Sequence, residues 1–134
     1  MIAITSELSI GQVAERTGLS VHTLRLYERE GLFASEVRRG KNGRRSYCES
    51  DVEWLSTCKK FRSSGMPLAT IRRFAELVRL GPGNEEERLV LLRQHEQQIR
   101  ARMDDLTDCL TLITEKVRSY EQHLSQGTAT TLWS

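Results

Sequence analysis

Between Leu89 and Leu124 apolar residues recur at alternating steps of three and four, and this stripe restricts the fold more than any other feature of the chain. It runs Leu89, Leu92, Ile99, Met103, Leu106, Leu110, Ile113, Val117, Tyr120 and Leu124, with Glu96 the one charged position on it. Such spacing keeps one seam of a helix turned toward a partner helix, as in a coiled coil. At ~1.5 Å of rise per residue the stripe is roughly 54 Å long. A chain of 134 residues leaves too small a remainder to cover it. A second copy is therefore the expected partner, with these ten apolar residues as the dimer interface and Glu96 as a register-setting position. The alternative is an intramolecular helical hairpin, but no turn signal interrupts the run between Glu85 and Ser125. The spacing predicts one helix over 85–124, followed by a flexible tail, 125–134, in which Leu132 and Trp133 stand out. Cys109 flanks the seam.

The preceding part has a different character. Gly81-Pro82-Gly83 cannot continue a helix without large cost, so residues 81–84 read as a linker. Residues 1–80 carry fourteen Lys/Arg against nine Asp/Glu, whereas 81–134 carry six against nine. That asymmetry points to a first half that meets a polyanion. Composition agrees with a folded chain, with 38% hydrophobic and 28% charged residues and two prolines. No apolar run approaches the ~20 residues of a membrane span, and MIAITSELS lacks the basic and apolar segments of a secretion signal. A soluble cytoplasmic protein with no membrane partner is expected. Three cysteines, Cys48, Cys58 and Cys109, form neither a disulfide framework nor a metal-binding pair. No metal or other cofactor is expected.

Residues 1–8 read as an N-terminal tail and 9–80 as a compact domain. Ser9 and Gln12 have capping-box spacing and start a short helix that Gly18 ends. Ser20 caps a second helix running to Glu30 and Gly31. Two short helices joined by a tight Gly-containing turn make a helix-turn-helix unit, whose second helix enters the DNA major groove. A strand over Phe33–Val37, the Asn42-Gly43 turn signal and a strand over Arg44–Tyr47 predict a β-hairpin wing. Its tip, Arg38 to Arg45, holds five basic residues and no acid. A third helix is predicted over Glu49–Ser64, with Val52, Trp54, Leu55, Cys58 and Phe61 as its apolar stripe. Pro67 suits the first turn of a fourth, which buries Leu68, Ile71, Phe74, Ala75 and Val78. The fold class is mainly α: four helices with a small wing, then a long dimerisation helix.

The order of Ser9-Ile10-Gly11-Gln12-Val13-Ala14, Ser20 to Leu32, Gly43-Arg44-Arg45-Ser46-Tyr47 and Phe61 to Leu68 resembles the mercury-resistance-regulator (MerR) family of bacterial transcription factors. The resemblance covers nearly the whole chain, and is nearest to compact members associated with aldehyde or nitrosative stress. It implies a winged helix-turn-helix, a homodimer joined by an antiparallel coiled coil, and binding to a pseudo-palindromic promoter that the dimer bends and untwists for RNA polymerase. It puts Val21, His22, Thr23, Arg25 and Tyr27 on the recognition helix, with Arg25 the strongest candidate for a base or phosphate contact. Wing residues Arg38, Arg39, Lys41, Asn42, Arg44, Arg45 and Tyr47 match the backbone-gripping region, and Lys60 and Arg62 are candidates for a further phosphate contact, the alternative being a solvated helix face. Relatives often carry a second tyrosine where this chain has Leu26.

Metal-sensing and iron-sulfur relatives use cysteines that this chain lacks at those places, and the electrophile-linked relatives carry one where this chain has Lys60. Cys48, at the N-cap of the third helix beside Arg44 and Arg45, is the candidate redox sensor, because helix N-termini and cations favour thiolate. Cys58 belongs to the core. His22, His95 and His123 are isolated, and no nucleophile elbow or phosphate-binding glycine loop is present, so no enzyme is expected. The competing readings are a coiled-coil adaptor whose basic wing meets an acidic protein, and an architectural DNA-bending protein without an effector.

Overall fold

A computed structural model describes residues 7–40 and 42–127. The element order is α1 (Ile10–Thr17), α2 (Val21–Arg29), β1 (Arg38–Arg39), β2 (Arg45–Ser46), α3 (Glu49–Ser63), α4 (Leu68–Arg79) and α5 (Glu85–Gln126). The chain divides into two compact units between Arg93 and Gln94, inside α5.

In the first unit, local rules set the helix ends. Ser9 Oγ accepts the Gln12 N–H at 3.1 Å while Gln12 Oε1 accepts the Ser9 N–H at 2.8 Å, a complete capping box. Gly18 ends α1 with φ 76°, which a side-chain-bearing residue adopts only with strain. Amphipathic faces then meet in one core, where Val13, Leu24, Leu32, Leu55, Cys58, Met66 and Ile71 are each at most 1% exposed. Trp54 and Phe74 stack with ring centroids 5.9 Å apart, and Phe61 meets Phe74 edge-on at 6.0 Å, joining α3 to α4.

Three details differ from expectation. The first wing strand is Arg38–Arg39, paired with Arg45–Ser46 in the register Arg38 to Ser46 and Arg39 to Arg45, and not Phe33–Val37. Leu32 and Phe33 are both buried, which an alternating strand does not allow. Their carbonyls accept instead from side chains, Leu32 from Trp54 Nε1 at 2.7 Å and Phe33 from Arg79. α4 buries Leu77, at 2% exposure, beside the expected Ile71 and Ala75, while Val78, Leu68 and Phe74 are half-buried. Pro67 occupies the N-cap with ψ 148°, one residue before the first helical position.

A recurring interaction ties these short helices together. Lys59 of α3 donates to the Thr17 carbonyl at the end of α1 at 2.9 Å. Arg72 and Arg79 of α4 donate to the carbonyls of Glu30, Gly31 and Phe33 just beyond α2. Arg88 of α5 donates to Leu77 and Gly81 at the end of α4.

In the second unit α5 continues as an uninterrupted helix. Its seam residues Met103, Leu106, Leu110, Ile113, Val117 and Leu124 are all more than half exposed, from 52% at Val117 to 71% at Leu124. Ile99 and Tyr120 are half-buried. The expectations for Leu132 and Trp133 fall outside the described residues.

The core makes a stability prediction. Leu55→Ala removes a fully buried side chain and should lower unfolding free energy by ~2–5 kcal/mol, read as a lower urea midpoint. An unchanged midpoint would remove Leu55 from the core.

Candidate nucleic-acid interface

Three local structures converge on one side of the first unit: the N-terminus of α1, the outer face of α2 and the wing. Ser20 Oγ accepts the Thr23 N–H at 3.0 Å and starts α2, and Leu24 and Tyr27 turn inward. Residues three and four apart share a helix face, so His22, Arg25 and Arg29 lie together on the outer side, and all three are exposed. Val21 and Thr23 are half-buried, and Thr23 Oγ1 accepts from Ser20 Oγ at 2.9 Å. Arg25 makes no ion pair among the described residues.

The wing tip is closed by two short backbone bonds, Gly40 N–H to the Arg44 carbonyl at 2.7 Å and Gly43 N–H to the Gly40 carbonyl at 3.0 Å. Asn42 Oδ1 accepts the Arg44 N–H at 3.0 Å. This turn carries Arg39, Arg44 and Arg45 to the side of α2. With Ser9, Ile10, Gly11, Gly43 and Arg25 they line a concavity of about 520 Å³ that has no carboxylate in its wall. The positive end of the α1 dipole points into the same space, adding to the guanidinium charge. Arg45 Nε donates to Glu28 Oε1 at 2.6 Å, tying wing to recognition helix.

Of the remaining expected residues, two tyrosines belong to the interior. Tyr27 is 7% and Tyr47 1% exposed, so both rings pack within the core. Burial raises both phenol pKa values above their ordinary range. The pattern hid this because an aromatic on a recognition helix can equally be a core anchor. Arg38 stands at the wing base, its Nη2 4.0 Å from Asp51 Oδ2. Arg62 donates to the Met66 carbonyl at 3.1 Å and thus braces the end of α3, whereas Lys60 is exposed. Lys41 lies outside the described residues. Arg29, exposed on the same face of α2, and the α1 start Ser9-Ile10-Gly11, in the wall of the concavity, are additional candidates. The capping box at Ser9 was the available signal for the α1 start, since it marks a helix N-terminus and hence an anion-favouring end.

Cys48 is the N-cap residue of α3 and is buried. Its N–H donates to Asp51 Oδ2 at 2.9 Å, and its Sγ lies 3.0 Å from Ser50 Oγ. Burial pushes its thiol pKa up, but hydrogen bonding to Ser50, the Asp51 backbone and Arg38 outweighs it, leaving the thiol below its ordinary value. Cys58 has burial alone and is pushed up to about 12.

The model of the MerR HTH family of regulatory proteins matches residues 8–77, a segment spanning both helices, the wing, α3 and most of α4. The chain belongs to the MerR family. An HTH-type transcriptional regulator of Haemophilus influenzae is 34% identical over 116 residues, covering 87% of this chain and 85% of that protein. The mercuric resistance operon regulatory protein of Serratia marcescens is 35% identical over 121 residues, covering 90% and 80%. Among solved structures, HiNmlR, a MerR regulator lacking the sensor domain and bound to promoter DNA, superposes with a TM-score of 0.79 at 31% identity over 93% of this chain and 98% of that one. A MerR regulator from Bacillus thuringiensis gives 0.72 at 28% identity, covering 86% and 100%. The chain is therefore a transcriptional regulator of the MerR type and not an enzyme. Among the described residues no helix is long and apolar enough to cross a membrane.

The thiols give a second prediction. With iodoacetamide at pH 8 the exposed Cys109 should be alkylated first, Cys48 more slowly, and Cys58 only after denaturation. Peptide mass spectrometry reads the order, and early modification of Cys58 would contradict its placement.

Proposed function

We propose that this MerR regulator binds promoter DNA in the cytoplasm as a homodimer, placing α2 in the major groove and the wing on the flanking backbone. The observation that carries the reading is the juxtaposition of Arg25 with Arg39, Arg44 and Arg45 around one carboxylate-free concavity at the α1 N-terminus. Phosphate oxygens fit that electrostatic surrounding, and phosphate contacts fix a protein's register on a duplex. His22, Arg25 and Arg29 then project from α2 toward base edges. Arginine is suited to guanine because its planar fork matches the O6 and N7 acceptors. The similarity to HiNmlR, itself bound to promoter DNA, supports the same partner here.

Dimerisation follows from the seam. Exposed apolar residues along so much of α5 favour cover by a second α5, and a two-fold dimer matches a pseudo-palindromic operator. Bending and untwisting a site of 20–30 base pairs costs on the order of 1–6 kcal/mol. A modest conformational bias in the dimer is thus enough to alter how RNA polymerase meets the promoter.

The test is fluorescence anisotropy against the duplex upstream of the protein's own coding region and a scrambled duplex, at low and physiological salt. Preference for the native duplex, with affinity falling steeply as salt rises, is expected. Equal affinity for both would count against sequence-specific regulation. Arg25→Ala should weaken specific binding by ~1–3 kcal/mol, and unchanged affinity would remove it from the interface. Replacing Leu106 and Leu110 with glutamate should produce monomers in a sedimentation experiment, and a persisting dimer would overturn the seam assignment.

A further inference from the structure

We propose that Arg79 and Arg88 are positioning residues that hold the recognition helix in a fixed orientation to the start of the dimerisation helix, and thereby set which half-site spacing the dimer accepts. The inference rests on the DNA-binding reading above and adds to it the side chains that control operator geometry.

Two consecutive brackets connect the helices. At the first, Arg79 Nη1 donates to the Gly31 carbonyl at 3.0 Å and also to that of Phe33, just past the end of α2. Arg72 reinforces it, with Nε on the Glu30 carbonyl at 2.8 Å and Nη2 on the Glu30 carboxylate at 3.1 Å. At the second, Arg88 Nη2 donates to the Gly81 carbonyl at 2.8 Å and the Leu77 carbonyl at 3.2 Å, and Arg88 Nε donates to Asn84 Oδ1 at 2.6 Å. Asn84 Nδ2 in turn donates to the Leu77 carbonyl at 2.9 Å. The second bracket spans Gly81 and Gly83, both at positive φ, where the chain would otherwise be loosest.

The chemistry suits orientation as well as attachment. A guanidinium presents five donors in one rigid plane, so two bonds to separate carbonyls constrain angle as well as distance. An ammonium on a flexible stem fixes neither. Both brackets use backbone carbonyls left without partners at a helix end, positions that a change of neighbouring side chain does not remove. Path and direction are therefore continuous from the end of α2, through α4, into the first turn of α5.

In a two-fold dimer the seam relates the two copies, so the freedom of each α2 relative to the start of its own α5 adds to how far the half-sites can be moved. One inserted base pair shifts a half-site by about 3.4 Å and rotates it by roughly 35°. A stiff link registers that change as lost contacts, whereas a loose one follows it.

The experiment measures anisotropy binding of the full chain to its footprinted native operator and to versions with one or two base pairs added or removed at the centre. Wild type should prefer native spacing on the order of tenfold. Arg88→Lys and Arg79→Lys, which keep the charge and lose the fork, should flatten that preference to about threefold or less while keeping most affinity for the native spacing. Salt slope and melting temperature are recorded alongside. If Arg88→Lys melts early, Asn84→Ala loosens the same bracket and should shift the spacing profile in the same direction. Lysine variants with the wild-type profile, or a wild type indifferent to spacing, would overturn the proposal. Wild type that fails to distinguish native from scrambled duplex would instead bring down the DNA-binding reading, and this inference with it.

Discussion

The hydrogen bond from a cation on a later helix to a carbonyl at the end of an earlier one organises the whole reading head. α1 and α2 have eight and nine residues, too short to persist alone in water. Each leaves carbonyls at its C-terminus without intrahelical partners, and those ends also carry the negative pole of the dipole. Lys59 serves α1, Arg72 and Arg79 serve the end of α2, and Arg88 serves α4. Every one of these donors comes from a helix further along the chain. Local helices are thus completed by distant ones, and the head forms as one unit.

This use of cations changes what the charge asymmetry means. The excess of Lys and Arg before residue 80 points toward a polyanion, yet several of these cations also brace the fold while staying at its surface. Lys59, Arg72 and Arg79 bond to carbonyls, and Arg16 is paired with Glu49 at 2.8 Å. That exposed pair lowers the Glu49 carboxyl pKa through the Arg16 hydrogen bond, and as a surface pair it contributes little stability. On the face that carries the candidate site the cations are Arg25, Arg29, Arg39 and Arg44, with Arg39 also donating to the Gly43 carbonyl at 3.0 Å and Arg45 shared between Glu28 and the concavity. Net charge is a poor guide here, because it counts both groups alike.

Much of the architecture was legible because short-range rules dominate it. The Ser9 and Ser20 caps, the Gly18 stop, the Asn42-Gly43 turn and the α5 stripe each depend on a few neighbouring residues, and each element lies where they indicate. The larger departures arise where distant partners decide. Phe33 leaves the wing because Arg79 and Trp54 claim the adjoining carbonyls. Tyr27 and Tyr47 go inward because the head needs large side chains for a small core. Arg29 shares the outer face with Arg25 by simple helical spacing, and its role was hidden because basic residues on exposed helix faces are ordinarily just solvated.

A buried carboxylate at the wing root helps to explain how so short a hairpin holds its place. The two strands have two residues each, far below what an isolated hairpin needs for stability. Asp51, 7% exposed, accepts the Cys48 N–H with Oδ2 and the Ser35 hydroxyl with Oδ1 at 3.0 Å, and Arg38 approaches it from the strand itself. Both strand ends are therefore anchored at one point, with Leu8 and Tyr47 pairing through their backbones on the far side. Beyond this root, Gly40, Gly43 and Arg44 are linked by the turn bonds among themselves. The root keeps Arg39, Arg44 and Arg45 beside α2. On the proposed reading, α2 and its brackets would carry specificity, with the wing supplying charge beside it.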